Sequence, residues 1–421
     1  MKKTLTLLLA GLLGIVMLTG CAPAGAVGID LTSDVTPAVA ADPGPVPAEW
    51  ADALAGFGWD LLRASAANDG SLLVSPASVH LALAMTQNGA DTDTLAQMLA
   101  LLAPDGAEAD ALNDGARAAL ARWNDPDAQD RLSIANSIWF DQGFTPDPVF
   151  LQANADHYTA AARALDFAAP DAPDAINRWV KEATRGVIPS ILDRIPDSAM
   201  MYLVNAVHFK AEWVEPFDKA DTRLQAFRTP AGEIQTDFMH RSGAMRCLKR
   251  DGMSGVMLPY LGGRFAFFAI LPDGDAAPRD LLGDRSSVPL RDFVSDLQAD
   301  AGTTRVDLAL PKFETEYKDS LKNELAAMGM GDAFSPDLAD FSRMQTSRER
   351  NLFIGEVLHK TFCRVDEKGT EAAAVTAVQV ELTSMPAPGV AMTFDRPFLY
   401  GIVDLESSIP LFLGIQENPA E

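Results

Sequence analysis

Five histidines and three cysteines are the chain's readiest ligands and nucleophiles, and their spacing builds nothing catalytic. His80, His157, His208, His240 and His359 are scattered, with no pair or trio at a metal-ligand interval. His80 sits among Leu81 and Leu83 in a helical pattern and reads as a packed residue. His359 sits in a strand-like run and reads as a hydrogen-bonded structural one. Cys247 and Cys363 are too far apart to form a disulfide framework, and no C-x-x-C occurs. There is no G-x-S-x-G elbow, S-x-x-K, P-loop, G-x-G-x-x-G or H-E-x-x-H. Triads assemble from distant residues, so a hydrolase of unfamiliar arrangement stays an alternative. The expectation is a protein that is not an enzyme and uses no cofactor and no metal.

One stretch carries a sharper signal. From Glu367 to Leu382 the chain reads EKGTEAAAVTAVQVEL. Thr370, Ala372, Ala374, Thr376, Val378, Val380 and Leu382 form one uncharged face at period two. Glu371, Ala373, Val375, Ala377, Gln379 and Glu381 form the other, with polar ends. Gly369 and the alanines after it hold a strand poorly and make a mobile hinge. Ser384-Met385-Pro386-Ala387-Pro388-Gly389 cannot join a ladder. An ordinary Ala-rich edge strand or a short helix fits the pattern as well as an element with two alternative positions.

The surrounding elements must position that stretch. Helices are predicted over Glu49 to Ala64, Ala77 to Asn88, Pro148 to Ala162, Ala172 to Thr184 and Tyr317 to Met328. Ser75 is a capping residue and Pro76 falls in the first turn of the second of these. Strands are predicted over Leu132 to Phe140, Met201 to Phe209, Gly255 to Leu258, Arg264 to Leu271 and Thr304 to Leu310. Others cover Asn351 to Val365, Pro397 to Val403 and Ile409 to Ile415. The irregular interleaving predicts an α+β fold with more than one sheet, in one domain over residues 47–421. A net charge of -24 repels phosphate backbones and argues against nucleic-acid binding.

The first 46 residues read differently. Lys2 and Lys3 precede an apolar run from Leu5 to Leu18, too short for a spanning helix. Leu18-Thr19-Gly20-Cys21 resembles the lipobox of bacterial lipoproteins. That resemblance implies a signal peptide over residues 1–20 and a lipid anchor on Cys21. It places the protein in a bacterial cell envelope, facing the periplasm or exterior. Residues 21–46, rich in Ala, Pro, Gly and Asp, are predicted to be a flexible tether of roughly 25–30 Å.

The body resembles the serpin family of serine protease inhibitors along its whole length. The hinge-like run Asp366 to Val378 carries the resemblance, with Asn205-Ala206-Val207-His208-Phe209-Lys210, Trp213 and Pro216-Phe217. So do Ser75-Pro76-Ala77-Ser78, Val357-Leu358-His359-Lys360, Asp395-Arg396-Pro397-Phe398-Leu399 and Leu411-Phe412-Leu413-Gly414. The resemblance implies a serpin fold of three β-sheets and about nine helices, with an exposed reactive-centre loop above the largest sheet. It implies a covalent partnership with serine-type proteases: the protease cuts the loop, and the loop enters the sheet before deacylation. It assigns the hinge to Glu367, Gly369, Thr370, Glu371, Ala372, Ala373 and Ala374. Ser75, Ser78, Asn205 and His359 map to a polar cluster beneath the opening point, and Trp213 and Lys312 to the entry point, where a Lys312–Glu367 pair would help hold the loop out.

The reactive bond maps to Thr383-Ser384, or Leu382-Thr383 one register earlier. No Lys or Arg lies between Lys368 and Arg396, so trypsin-like targets are not expected, and chymotrypsin-, elastase- or subtilisin-like proteases are. Small, uncharged inward residues at the hinge are what rapid insertion demands, since burying an unpaired charge is costly. A monomer is expected. A non-inhibitory surface scaffold on the same fold is the alternative.

Overall fold

The computed structural model describes residues 28–32, 35–37, 42–103, 106–125, 130–196, 199–250, 252–283, 290–299, 303–370 and 389–420. Along the chain come β1 (Ile29–Asp30), α1 (Ala48–Ser65), β2 (Leu72–Val74), α2 (Pro76–Gln87), α3 (Thr92–Leu102) and α4 (Ala109–Trp123). Next are β3 (Arg131–Asp141), α5 (Pro148–Tyr158), β4 (Ala161–Leu165), α6 (Ala172–Ala183) and β5 (Met201–Glu212). Then follow β6 (Arg223–Thr229), β7 (Gly232–Arg250), β8 (Met253–Pro259), β9 (Phe265–Pro272), α7 (Leu290–Ala299) and β10 (Thr304–Pro311). The last elements are β11 (Phe313–Ser320), α8 (Lys322–Leu325), β12 (Leu358–Val365), β13 (Gly369–Thr370), β14 (Val390–Thr393), β15 (Phe398–Asp404) and β16 (Pro410–Gln416).

The α+β expectation holds, with eight α-helices among the described residues where about nine were expected. One sheet has seven strands in the order β1-β4-β3-β5-β13-β12-β11. The rest share β7, a 19-residue strand. Its first part pairs with β6 and β10, and β14 lies parallel beyond β10. Its last residues, from Arg246, pair with β8, and the sheet continues through β9, β15, β16 and β2. One strand serving two sheets makes three sheets of two ladders. Every residue of β9, β15 and β16 is buried, so these strands read as continuous apolar runs rather than alternating ones.

α2 threads beneath the seven-stranded sheet and is buried at every position. Its start follows from local chemistry: Ser75 caps the first turn and Pro76 supplies a preset φ. On the opposite face, Ile176 and Val180 of α6 pack on Trp139, Tyr202 and Val204. The sheet is therefore covered on both sides.

Three predicted elements are corrected. The helix from Pro148 ends at Tyr158, with Thr159 at φ +50°, and Ala161–Leu165 becomes β4 by pairing parallel with β3. Tyr317 lies in β11, where Phe313, Thr315 and Tyr317 alternate at period two, and only Lys322–Leu325 of the predicted helix is α-helical. The strand predicted from Asn351 begins at Leu358. The tether reading also fails for part of its length. Ile29–Asp30 pairs antiparallel with Arg163 and Ala164, Leu31 N–H donates to Ala162 O at 2.9 Å, and Leu31 and Val35 pack on the core. β4 would otherwise end the sheet with unpaired backbone groups, and these residues satisfy them.

Candidate functional site: a hinge seated between two strands

β13 is the centre of the site. Gly369 pairs with Glu212 of β5, and Thr370 pairs with Ala211 of β5 on one side and Val365 of β12 on the other. Among the described residues no other ladder joins β5 and β12, which run as neighbours. Gly369 and Thr370 thus form a two-residue wedge at the top of a seam. Glycine is required there by close approach: a Cβ on Gly369 would stand 2.1 Å from Ala211 O.

The wedge is held from both sides. Thr370 is buried, and its Oγ1 lies 2.6 Å from Tyr260 Oη. Burial pushes the Tyr260 phenol well above its ordinary range, so it stays protonated. Tyr260 stacks on Trp213 with ring centroids 4.6 Å apart and planes 12° apart. Trp213 Nε1–H donates to Asp366 O at 3.0 Å, and Trp213 N–H donates to Lys368 O at 2.8 Å. The Asp366 carboxylate accepts from Lys368 N–H at 2.8 Å and Gly369 N–H at 3.3 Å, which closes the turn into the hinge.

Glu367 is fixed just before that turn. Its carboxylate lies 3.1 Å from Lys312 Nζ and accepts from the Thr222 hydroxyl at 2.9 Å, and its carbonyl accepts from Phe217 N–H at 2.8 Å. Burial pushes this carboxyl up, but hydrogen bonds from its own backbone, Thr222 and Lys312 outweigh it and hold the group below the usual range. The Lys312–Glu367 pair was expected to help hold the loop out. Here it sits beside Gly369 and Thr370, which already lie in the sheet.

Ser75, Ser78 and His359 form a second cluster. Ser75 N–H donates to His359 Nε2 at 3.1 Å, Ser75 Oγ donates to Leu411 O at 2.8 Å, and it accepts from Ser78 N–H at 3.4 Å. Burial pushes the His359 imidazole down to about 4, against an opposing pull from Asp319. The ring is therefore neutral at neutral pH, with Nε2 free of a proton to accept from Ser75. Asn205 lies in β5 opposite Asn136 of β3.

Tyr260 and Thr222 were missed by sequence reasoning. Tyr260 ends a buried strand and reaches Thr370 across 110 residues, so no local pattern could flag it. Glu371, Ala372, Ala373, Ala374, Leu382, Thr383, Ser384 and Cys21 lie outside the described residues.

The family model for serpins (serine protease inhibitors) matches residues 52–419. The chain belongs to the serpin family. A serpin-like protein of Thermococcus kodakarensis is 32% identical over 376 residues, covering 88% of this chain and 86% of that one. The leukocyte elastase inhibitor of Bos taurus is 34% identical over 364 residues, covering 83% and 93%. The thermophilic serpin Tengpin in its native state is 34% identical, with a TM-score of 0.85 over 93% of this chain and 100% of that one. Its latent state gives 0.76 over 89% and 99%. This serpin's conformer is thus nearer to a native arrangement than to a latent one. Many serpins inhibit proteases, and the family typically inhibits rather than catalyses.

Proposed function

We propose that the chain is an irreversible inhibitor of chymotrypsin-, elastase- or subtilisin-like serine proteases, acting by loop cleavage, acyl-enzyme trapping and loop insertion. The observation that carries this reading is the register of β13. Thr370 stands opposite Ala211, and the strands are antiparallel. Each further loop residue would therefore meet the preceding residue of β5. Ala372 would face Phe209, Ala374 would face Val207, and Val380 would reach Met201, where β5 begins.

The uncharged face of the loop would then fall on the core side with Thr370, and Leu382 to Ser384 would lie just past the bottom of the sheet. A cut there frees enough chain to fill the seam. About ten inserted residues at about 1 kcal/mol net per ladder bond, with apolar burial added, release on the order of 10 kcal/mol. Displacing a protease's catalytic groups by about 1 Å is enough to stop deacylation.

The same reading attaches the protein through a lipidated Cys21 to a bacterial envelope membrane, supported by Leu18-Thr19-Gly20-Cys21. Mixing the purified protein with chymotrypsin, elastase and subtilisin tests the main claim. A covalent band on a denaturing gel is expected, and clipped chain with fully active protease would reject it. Loss of lipid labelling in Cys21→Ser tests the anchor.

A further inference from the structure

The turn between β8 and β9 is gripped at both ends. At its start Tyr260 stacks on Trp213 and bonds to Thr370, and Leu261 N–H donates to Glu212 O at 2.8 Å. At its end Arg264 turns inward. Its Nε–H donates to Asp130 Oδ1 at 2.7 Å, Nη2–H to Asp130 O at 2.8 Å and Nη1–H to Arg122 O at 2.6 Å. Asp130 is fully buried just before β3. Arg122 lies in the last turn of α4, where carbonyls have no partner within the helix. One guanidinium therefore ties the turn to both α4 and β3.

The tip of the turn supplies no anchor of its own. Gly262 and Gly263 stand in succession at φ +98° and +72°. A Cβ on Gly262 would stand 3.0 Å from the Asp130 carboxylate, so the backbone lies directly on the buried charge. Among the described residues Asp130 Oδ2 accepts no hydrogen bond, and Arg264 is the cation paired with this carboxylate. A buried ion pair often adds no stability over an apolar pair of the same shape, yet breaking it strands a charge. The path from Arg264 to Tyr260 is short. Tyr260 N–H donates to Phe265 O at 3.0 Å, which places Tyr260 across the hairpin from the residue after Arg264. Phe209 of β5 packs on both rings, with centroids 5.0 and 5.7 Å away.

We propose that the Arg264–Asp130 pair is a positioning device for loop insertion: it sets the place of Tyr260 and thereby seats Thr370 between β5 and β12. Arg264 touches neither Thr370 nor its strand neighbours, and acts through Tyr260. With the pair weakened, the β8–β9 turn shifts, the Tyr260–Thr370 bond loosens, and the strand begins insertion from a poorer start. The consequence for trapping rests on the inhibitor reading. The seating of Thr370 does not.

Asp130→Asn in the full chain removes the charge and keeps an oxygen for Arg264 Nε–H. Amide exchange at Leu261 and Trp213 is expected to rise roughly threefold to tenfold. Leu413, paired on both sides within its sheet, reports global opening and should rise less. With chymotrypsin, the moles of inhibitor consumed per mole of protease trapped should increase roughly twofold to fivefold. In Tyr260→Phe, which already lacks the bond to Thr370, Asp130→Asn should add little to either effect. Arg264→Lys keeps the charge but loses the planar fork that serves Asp130 and Arg122 together. It should show the same pattern more weakly, and it decides the matter if Asp130→Asn does not fold. Exchange at Leu261 and Trp213 that rises no more than at Leu413 would overturn the positioning role. So would Asp130→Asn and Tyr260→Phe effects that simply add, or unchanged consumption of inhibitor. A wild-type protein that chymotrypsin, elastase and subtilisin only clip would overturn the inhibitor reading instead, and exchange would still decide whether Arg264 seats Thr370.

Discussion

Tyr260 Oη lies 2.6 Å from Thr370 Oγ1, so Thr370 is hydrogen-bonded to a tyrosine that itself stacks on Trp213. A hydroxyl pair this deeply buried is worth more broken than made, since each oxygen left without its partner keeps its desolvation cost. Tyr260→Phe should lower the stability of the intact protein by about 1–2 kcal/mol. Chemical denaturation checks the magnitude. Hydrogen exchange at Ala211 to Trp213 should rise in the same variant if the bond seats the hinge.

Thr370→Arg addresses the same position with a charge. Accommodating a guanidinium against Tyr260 and Ala211 costs several kcal/mol, and the hinge would stay out of the sheet. The variant is expected to be cut by chymotrypsin at an undiminished rate and to form no covalent complex. A covalent band of wild-type intensity would show that the Thr370 position does not enter the sheet.

Gly369 makes a purely steric prediction. Because a Cβ would stand 2.1 Å from Ala211 O, even Gly369→Ala should unseat the two-residue strand. The rest of the fold has no stake in that position, so the variant should remain folded with an unchanged far-ultraviolet spectrum. Its trapping rate should fall, and amide exchange around Glu212 should rise. Wild-type exchange at Glu212 in this variant would contradict the observed pairing.

Much of this site was legible in the sequence, and the missing parts share a cause. Ser75 and Pro76 announce a helix start through local chemistry, and Gly369 stands out as a hinge before an alternating run. Tyr260 and Thr222 are ordinary residues at a strand end and a turn, and their roles arise only when distant segments meet. The misassigned helices have the same origin. Ala161–Leu165 has no strong strand preference of its own and becomes a strand because β3 offers a ladder beside it. Residues 28–32 read as a coil because composition says nothing about an open sheet edge waiting for a partner.

Two buried histidines predict an acid-sensitive fold. Burial holds both His80 and His359 at about 4, whereas an unfolded histidine titrates at 6.5. Between those values the unfolded chain binds protons that the folded one refuses, so stability is intact above about 6.5 and falls as pH drops toward about 4. Each residue contributes about 3 kcal/mol over that window, at 1.36 kcal/mol per pKa unit. His359→Gln keeps an acceptor for Ser75 N–H and should remove about one proton from the slope of stability against pH. An unchanged slope would mean that His359 is protonated in the folded protein.

β5 and β12 are joined in a ladder only by Gly369 and Thr370 among the described residues, so the seam below them has no ladder bonds across it. Filling it with the chain from Glu371 to Val380 would add ladder bonds on both sides and bury an uncharged face against Phe209 and Val207. On the order of 10 kcal/mol of added stability corresponds, for a domain of this size, to a melting temperature roughly 10–15 °C higher. Calorimetry before and after clipping between Leu382 and Ser384 measures that difference directly. The clipped protein should melt later and unfold at a higher denaturant concentration, although a peptide bond has been lost. A clipped form that melts with the intact one would mean that the native conformer stores nothing for the loop to release.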